Sequence, residues 1–299
     1  MTNSFFQTLV HPDDIKYTAT ITPFGLWEWV VMLMGLRNSL ATHQHYVTLA
    51  LKEYIRKICH VYLDDIVIWS QTLDEHKQNV PKIMEALRTV ELFCSIKKSN
   101  LFTMEMEFLG HHISARGIEA DNSKVECIMN WPTPTKAKHV WALLGLVRYI
   151  ANFLLALAEH TAVLTPLTCK ECNAKFPPWT QEHQDTFESI RQLVLSRDCL
   201  TTIDHDNLGE NKIFVTCDAS KHRTGAVLTF GQTWENARPV VYLSTQMKGA
   251  QLNYPVHEQE MLSIILALKR GRVDLMGTKI EIYTDHQTLE NFNEQKDLS

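Results

Sequence analysis

The sequence predicts an α+β chain built of consecutive blocks, on three observations. Two short β-rich runs flank an acidic pair at Asp64-Asp65. The stretch Lys136 to Leu157 repeats apolar residues at helical spacing, and from Lys212 onward the pattern runs strand, strand, strand, helix, strand.

In the first block, Ile58 to Leu63 and Ile66 to Trp69 read as strands joined by a tight turn at Asp64-Asp65. A helix is expected from Leu73 to Phe93, with either a start or a kink near Pro81. The breaker cluster Trp131-Pro132-Thr133-Pro134 closes that block. Val140, Leu143, Leu144, Val147 and Ile150 or Ala151 then mark an amphipathic helix, and Phe176-Pro177-Pro178-Trp179 opens a connecting segment. In the last block Lys212 to Cys217, Gly225 to Leu228 and Arg238 to Leu243 are strands, Val256 to Arg270 is a helix, and Lys279 to Thr284 is the fourth strand.

With 299 residues and 45% apolar content, the chain suits two domains or one large one. It has no uninterrupted apolar run of about 18 residues, and Met1 to Phe6 lacks the basic flank and apolar core of a signal peptide. Seven cysteines without framework spacing fit reduced thiols, so the expected setting is cytoplasmic or nuclear, with no membrane partner. A net charge of −5 gives no general preference for phosphate, although Lys97-Lys98 and Lys136-Ala137-Lys138 gather basic charge locally. Cys169-Lys170-Glu171-Cys172, near His160 and His183, is half of a zinc pattern and lacks a second ligand pair at suitable spacing.

The turn at Asp64-Asp65 contains no glycine, the usual solution where φ must be positive. Two carboxylates about 4 Å apart repel by roughly 4 kcal/mol at an effective dielectric near 20. A divalent cation relieves that repulsion, and Mg²⁺ favours carboxylate oxygens while keeping positions open for phosphates. In the last block, a final strand lying parallel beside the first would bring Asp218 and Asp285 to neighbouring positions while the helix supplies Glu260. Glu258 is the nearest competitor for the helix position.

The run His60-Val61-Tyr62-Leu63-Asp64-Asp65-Ile66-Val67-Ile68-Trp69-Ser70, with Glu75-His76 after it, resembles the active-site hairpin of gypsy-type retrotransposon reverse transcriptases. Thr22 to Trp29 and Gly35 to Gln44 resemble the same family's template- and nucleotide-contacting segment. Phe108-Leu109-Gly110-His111-His112-Ile113-Ser114 resembles its primer grip, and Gly117-Ile118 through Trp131-Pro132 the approach to its thumb. Thr216-Cys217-Asp218-Ala219-Ser220, Asn253-Tyr254 through Glu260, and Thr284-Asp285-His286 resemble the ribonuclease H domain of these elements.

The resemblance implies a partial reverse transcriptase palm over 1–118, a thumb-like helical region over 119–175 and a connector over 176–211, followed by a partial ribonuclease H-like domain over 212–299. It implies RNA-directed DNA synthesis coupled to degradation of hybrid RNA. The expected partners are an RNA/DNA template-primer hybrid and deoxynucleoside triphosphates. The expected ions are Mg²⁺, or Mn²⁺ in its place, held by Asp64 and Asp65 in one site and by Asp218, Glu260 and Asp285 in the other. By the same resemblance Phe5 stacks under the sugar, Gly35 admits the nucleotide, Lys97 or Lys98 is the acid near pyrophosphate, and Phe108, Leu109, Gly110 and His111 grip the primer. Lys138 and Arg148 would meet phosphates.

The family's first palm motif carries another metal-binding aspartate, which would fall just before Met1, and its fourth ribonuclease H acid would follow Ser299. Leu33 and Leu40 stand where the family usually has proline, and Gly271 where relatives tend to carry tryptophan. Loss of that ring would cost about 3–5 kcal/mol if its site stayed unfilled. The expectation is therefore an impaired or inactive fragment, the alternative being a non-catalytic remnant or nucleic-acid binding module.

Overall fold

In Cys59–Tyr62 apolar and polar residues alternate, and Cys59 and Val61 are buried while His60 and Tyr62 face solvent, as a strand with one covered face requires. The computed structural model describes residues 4–205 and 207–285. The chain divides into two compact units, Met1–Met104 and Glu105–Ser299.

The first unit opens with a small hairpin, β1 (Thr20–Thr22) with β2 (Gly25–Trp27). Helix α1 (Ser39–Ala50) follows, then the antiparallel pair β3 (Cys59–Tyr62) and β4 (Asp65–Ile68), and helix α2 (Leu73–Thr89). Val47 and Leu51 at the end of α1, Cys59 and Val61 of β3, Ile83 and Leu87 of α2, and Leu92 form the core.

Helix α2 starts at Leu73 and not near Pro81, because the Thr72 hydroxyl accepts the Glu75 N–H at 3.2 Å and Glu75 Oε2 accepts the Gln71 N–H at 2.9 Å. Pro81 lies inside the helix, where its missing N–H leaves the ladder one bond short. The helix stops at Thr89, short of the expected Phe93, because Glu91 takes a φ of +58° and the Leu92 N–H returns to the Leu87 carbonyl at 2.9 Å. The Ser70 and Glu75-His76 residues of the hairpin motif have a structural use here. The Ser70 hydroxyl contacts His76 Nδ1 at 3.1 Å and accepts from Asn79 Nδ2 at 2.9 Å, tying the exit of β4 to α2.

The second unit begins with a three-stranded antiparallel sheet, β5 (Met106–Phe108), β6 (His111–Ser114) and β7 (Gly117–Ala120), so the Phe108 to His111 hairpin stands in this unit. Leu200 pairs with Ile118 through two 2.8 Å hydrogen bonds and covers the outer edge of β7. Helices α3 (Asn122–Met129), α4 (Ala137–Tyr149), α5 (Leu157–Leu164), α6 (Lys170–Ala174) and α7 (Gln181–Leu195) follow. The apolar positions read from the sequence, Val140, Leu143, Leu144, Val147 and Ile150, are buried against Phe187, Ile190 and Val194 of α7. Lys138 and Arg148 are exposed.

The last part is a four-stranded sheet in the order β10-β9-β8-β11, formed by β8 (Lys212–Ser220), β9 (Arg223–Gly231), β10 (Arg238–Gln246) and β11 (Ile280–Tyr283). Helix α8 (Val256–Arg270) and the short α9 (Arg272–Leu275) separate β10 from β11 in sequence. Ile213, Val215 and Cys217 of β8, with Leu228 of β9, bury against Ala267 and Leu275. Among the described residues no helix is long and apolar enough to cross a membrane.

Gly271 corrects one expectation. No unfilled ring site surrounds it, since an added Cβ would lie 2.7 Å from the Leu228 side chain and 3.2 Å from both Leu275 and the Ala267 carbonyl. Leu228 and Leu275 already occupy the space. Gly271→Trp should therefore destabilise the chain by about 1–3 kcal/mol through overpacking, read as a lower urea midpoint. A raised midpoint would show that the ring has room.

Candidate metal centre

Three of the predicted acids converge. Strand β11 lies parallel to β8 in the register Ile280↔Ile213 through Tyr283↔Thr216, and carrying that register two residues further sets Asp285 opposite Asp218. Helix α8 crosses to join them at Glu260, and ligand oxygens of Asp218, Glu260 and Asp285 lie within 4.8 Å of one another. Ser263, one turn along α8 from Glu260, locks this crossing. Its hydroxyl lies 3.0 Å from the Asp218 carbonyl and 2.8 Å from the Gly225 carbonyl, bridging α8 to both β8 and β9. Of the two acids considered on the helix, Glu260 is the one turned inward, while Glu258 is exposed.

Asp218 and Asp285 are exposed, but Glu260 is only 4% exposed, and its buried Oε2 has no hydrogen-bond partner. Burial first, then the charges of Asp218 and Asp285, push its carboxyl up to about 7, against a smaller opposing effect of the Ala219 N–H. A buried carboxyl with an unpartnered oxygen beside two further carboxylates is a donor set that fits a hard divalent cation. Asp218, Glu260 and Asp285 are the residues whose geometry would hold such an ion.

The second predicted pair, Asp64 and Asp65, differs from expectation. Tyr62 pairs with Asp65, so the two-residue turn is Leu63-Asp64, and Asp65 is already the first residue of β4. The left-handed conformation falls on Leu63, with φ +51°, and not on an aspartate. Such a conformation costs a branched-chain residue on the order of 1–2 kcal/mol, and it persists because the Leu63 N–H donates to Gln44 Oε1 at 2.6 Å. Asp64 is held from the other side by the buried Ser4, whose hydroxyl donates to its Oδ1 at 2.5 Å. The fully buried His43 brings Nε2 to 3.4 Å of the same oxygen without hydrogen-bond geometry, and burial chiefly holds its pKa below the ordinary value against the pull of Asp64. Phe5, half-buried, packs its ring 5.2 Å from that of His43. Gly35 has a φ of +97° with open space where a Cβ would stand, so conformation and not crowding explains the glycine within this chain. Lys97 is exposed on a short 3-10 turn.

In the Phe108 to His111 segment, Leu109 and Gly110 both have positive φ, 49° and 71°, and form the two-residue turn between β5 and β6. Tyr149, at the end of α4, donates its hydroxyl to the Leu109 carbonyl and stacks its ring on His111 at 5.6 Å and 12°. An added Cβ at Gly110 would meet that hydroxyl at 2.3 Å. Burial lowers the pKa of His111, whose Nδ1 has no partner.

Sequence reasoning missed Ser263 and Tyr149 altogether. His43 and Gln44 lay inside the Gly35 to Gln44 segment and Ser4 next to Phe5, but nothing local showed that they would grip the hairpin tip. Cys169 and Cys172 place their sulfurs 3.2 Å apart. Among the described residues the grouping of three or more metal-ligating side chains is the one at Asp218, Glu260 and Asp285.

Residues 1–113 match the family described as reverse transcriptase (RNA-dependent DNA polymerase), and residues 209–299 match the RNase H-like domain found in reverse transcriptase. The chain is 32% identical over 290 residues to a retrovirus-related Pol polyprotein from transposon 297 of Drosophila melanogaster, covering 97% of this chain and 26% of that protein. It is 31% identical over 282 residues to the transposon Tf2-3 polyprotein of Schizosaccharomyces pombe, covering 94% of this chain and 21% of that protein. It thus spans about a quarter of the length of these relatives. Among solved structures, the foamy viral protease-reverse transcriptase dRH in complex with double-stranded DNA superposes with a TM-score of 0.84 at 25% identity, over 100% of this chain and 52% of that one. The same viral enzyme in complex with an RNA/DNA hybrid gives a TM-score of 0.81 at 24% identity, over 100% and 40%.

Glu260 gives a pH test. An unfolded glutamate ionises near 4.3, so the folded chain keeps a proton that the unfolded chain has released as pH rises from about 4.3 to 7. Stability falls across that window, by on the order of 3–4 kcal/mol, and is level above it. In Glu260→Gln that dependence should vanish and the metal-free chain should be more stable at pH 8. Urea midpoints at pH 5 and pH 8 in chelator read the difference, and unchanged pH dependence in the variant would contradict the assignment.

Proposed function

The chain belongs to the reverse transcriptase and ribonuclease H family of retrotransposon Pol polyproteins, and from that premise we propose that its Asp218, Glu260 and Asp285 hold divalent ions for hydrolysis of the RNA strand of an RNA/DNA hybrid. The observation that carries this reading is the approach of the three carboxylates to within 4.8 Å at the ends of β8 and β11 and on the inner side of α8. Mg²⁺, or Mn²⁺ in its place, would when bound activate a water and offset charge developing on the phosphate. The chain's own residues do the rest. Asp218 and Asp285 face solvent, where a phosphate can reach them, and Glu260, held by its helix and buried, gives up its proton near neutral pH. Ser263 positions α8 so that Glu260 meets both strands.

The Asp64-Asp65 hairpin is the palm's metal-binding element in this reading, with Phe5, Gly35 and Lys97 on the nucleotide side and Phe108, Leu109, Gly110 and His111 on the primer. A specific observation favours a weaker polymerase role for the chain alone. Among the described residues Asp64 and Asp65 belong to no group of three metal-ligating side chains, whereas two-metal transfer needs both ions fixed about 3.5–4 Å apart. The substrates proposed are a template-primer hybrid and, for the palm, deoxynucleoside triphosphates.

A labelled RNA/DNA hybrid in Mg²⁺ or Mn²⁺ should be cut slowly, with cutting lost at least tenfold in Asp218→Asn. Salt-dependent binding of the hybrid with no cutting in either ion would replace this reading with a non-catalytic binding module. Primer extension on a homopolymer template by the chain alone should give no template-dependent product, and clear incorporation would overturn the polymerase half.

A further inference from the structure

The seven cysteines are all free thiols, and they fall into two chemical groups. Cys59 and Cys217 are buried in the cores, where burial pushes their thiols up to about 11 and about 12. Burial also raises Cys94 and Cys199, which are half-buried. Cys127 is exposed on α3, and Cys169 is exposed at the start of α6. Of these two, among the described residues, Cys169 has a sulfur neighbour: its thiol points at the Cys172 sulfur, 3.2 Å away.

Cys169 and Cys172 sit three residues apart across the first turn of α6, a spacing that brings side chains together on one face. A disulfide needs a sulfur separation of about 2.05 Å, so about 1.1 Å of side-chain movement closes the pair. The Cys172 sulfur is also 3.8 Å from the Pro166 carbonyl, in the 3-10 turn that leads into α6. With no further metal-ligating side chains grouped around them among the described residues, the two sulfurs form a dithiol and not a closed metal site.

We infer that Cys169 and Cys172 form a modification site for thiol–disulfide exchange, whose reactant is a low-molecular-weight disulfide of the glutathione class. The exposed Cys169 loses its proton to solvent and its thiolate attacks one sulfur of the small disulfide. A mixed disulfide forms and the first small thiolate leaves, taking up a proton as it becomes a thiol. Cys172, 3.2 Å away, then loses its proton and displaces the second small thiol from Cys169, closing the Cys169–Cys172 bond. In balance, one small disulfide is reduced to two small thiols, and the two protein thiols, having given up two protons and two electrons, become one disulfide. A small dithiol reverses the reaction by the same steps. The site shares no residue with either acidic group and stands whether or not the hydrolytic reading above holds.

The test uses the full chain, incubated with oxidised glutathione and digested after alkylation of remaining thiols. Trypsin cuts after Lys170, between the two cysteines, so the disulfide appears as the peptide Tyr149 to Lys170 joined to Glu171 to Lys175. That joined peptide should dominate, because proximity favours closure over a second encounter by at least about tenfold. The exposed, isolated Cys127 should instead keep its glutathione adduct. In Cys172→Ser, Cys169 should likewise keep its adduct, since the resolving sulfur is gone. Repeating the reaction in strong urea should lower the excess of joined peptide over other pairings to what the short separation in sequence alone gives, which separates a folded-state effect from sequence proximity. Separate adducts on Cys169 and Cys172, or two unmodified thiols while Cys127 reacts, would overturn the proposal. So would an excess of joined peptide that is undiminished in urea.

Discussion

The parallel pairing of β11 with β8 is the constraint on which the ribonuclease H-like part depends. Four residue pairs, Ile280↔Ile213 to Tyr283↔Thr216, set a register in which a slip of one residue would turn Asp285 to the other face of the sheet. Parallel strands cannot be joined by a tight turn, so the chain must leave the sheet and return. Helix α8 lies in that excursion, packed on the odd-numbered, buried residues of β8, and it carries Glu260 back to the strand ends. The crossover demanded by backbone hydrogen bonding thus also delivers the third carboxylate.

Burial then divides the labour among three chemically similar groups. Asp218 and Asp285 end their strands in water, while Glu260 faces inward from a helix whose neighbours Gln259 and Ser263 are also buried. A carboxyl so placed resists ionisation without a cation, and the unpartnered Oε2 marks where one would relieve it. Ser263 matters for the same reason, since a hydroxyl placed between two strand carbonyls fixes the depth at which α8 sits.

The palm hairpin is organised on a different principle. There the acids are not buried, and the surrounding side chains define the turn. Gln44 caps the Leu63 N–H, Ser4 donates to Asp64, and the buried His43 ring lies beside them, its pKa lowered by burial against the pull of Asp64. A comparable device recurs at the Leu109-Gly110 turn of the second unit, where the Tyr149 hydroxyl reaches a turn carbonyl from the end of α4. At both turns a side chain distant in sequence supports a strained backbone, as a residue with positive φ and no glycine freedom requires at Leu63.

Reading residues alone was enough for features that depend on local order: the strand-strand-strand-helix-strand pattern, helix α8 with the bounds Val256 to Arg270, the apolar stripe from Val140 to Ile150, and the identity of Asp218, Glu260 and Asp285 as acids worth testing together. These follow from periodicity and motif, which neighbouring residues carry. Only the tertiary structure decided that Leu63 and not an aspartate bears the positive φ, that Leu228 and Leu275 fill the space beside Gly271, and that Ser4, Gln44, Tyr149 and Ser263 hold the hairpins and the helix in place. It alone also set Glu260 apart from the two aspartates. Each of these depends on which atoms exclude water or donate hydrogen bonds across tens of residues, and no local pattern in the chain encodes that.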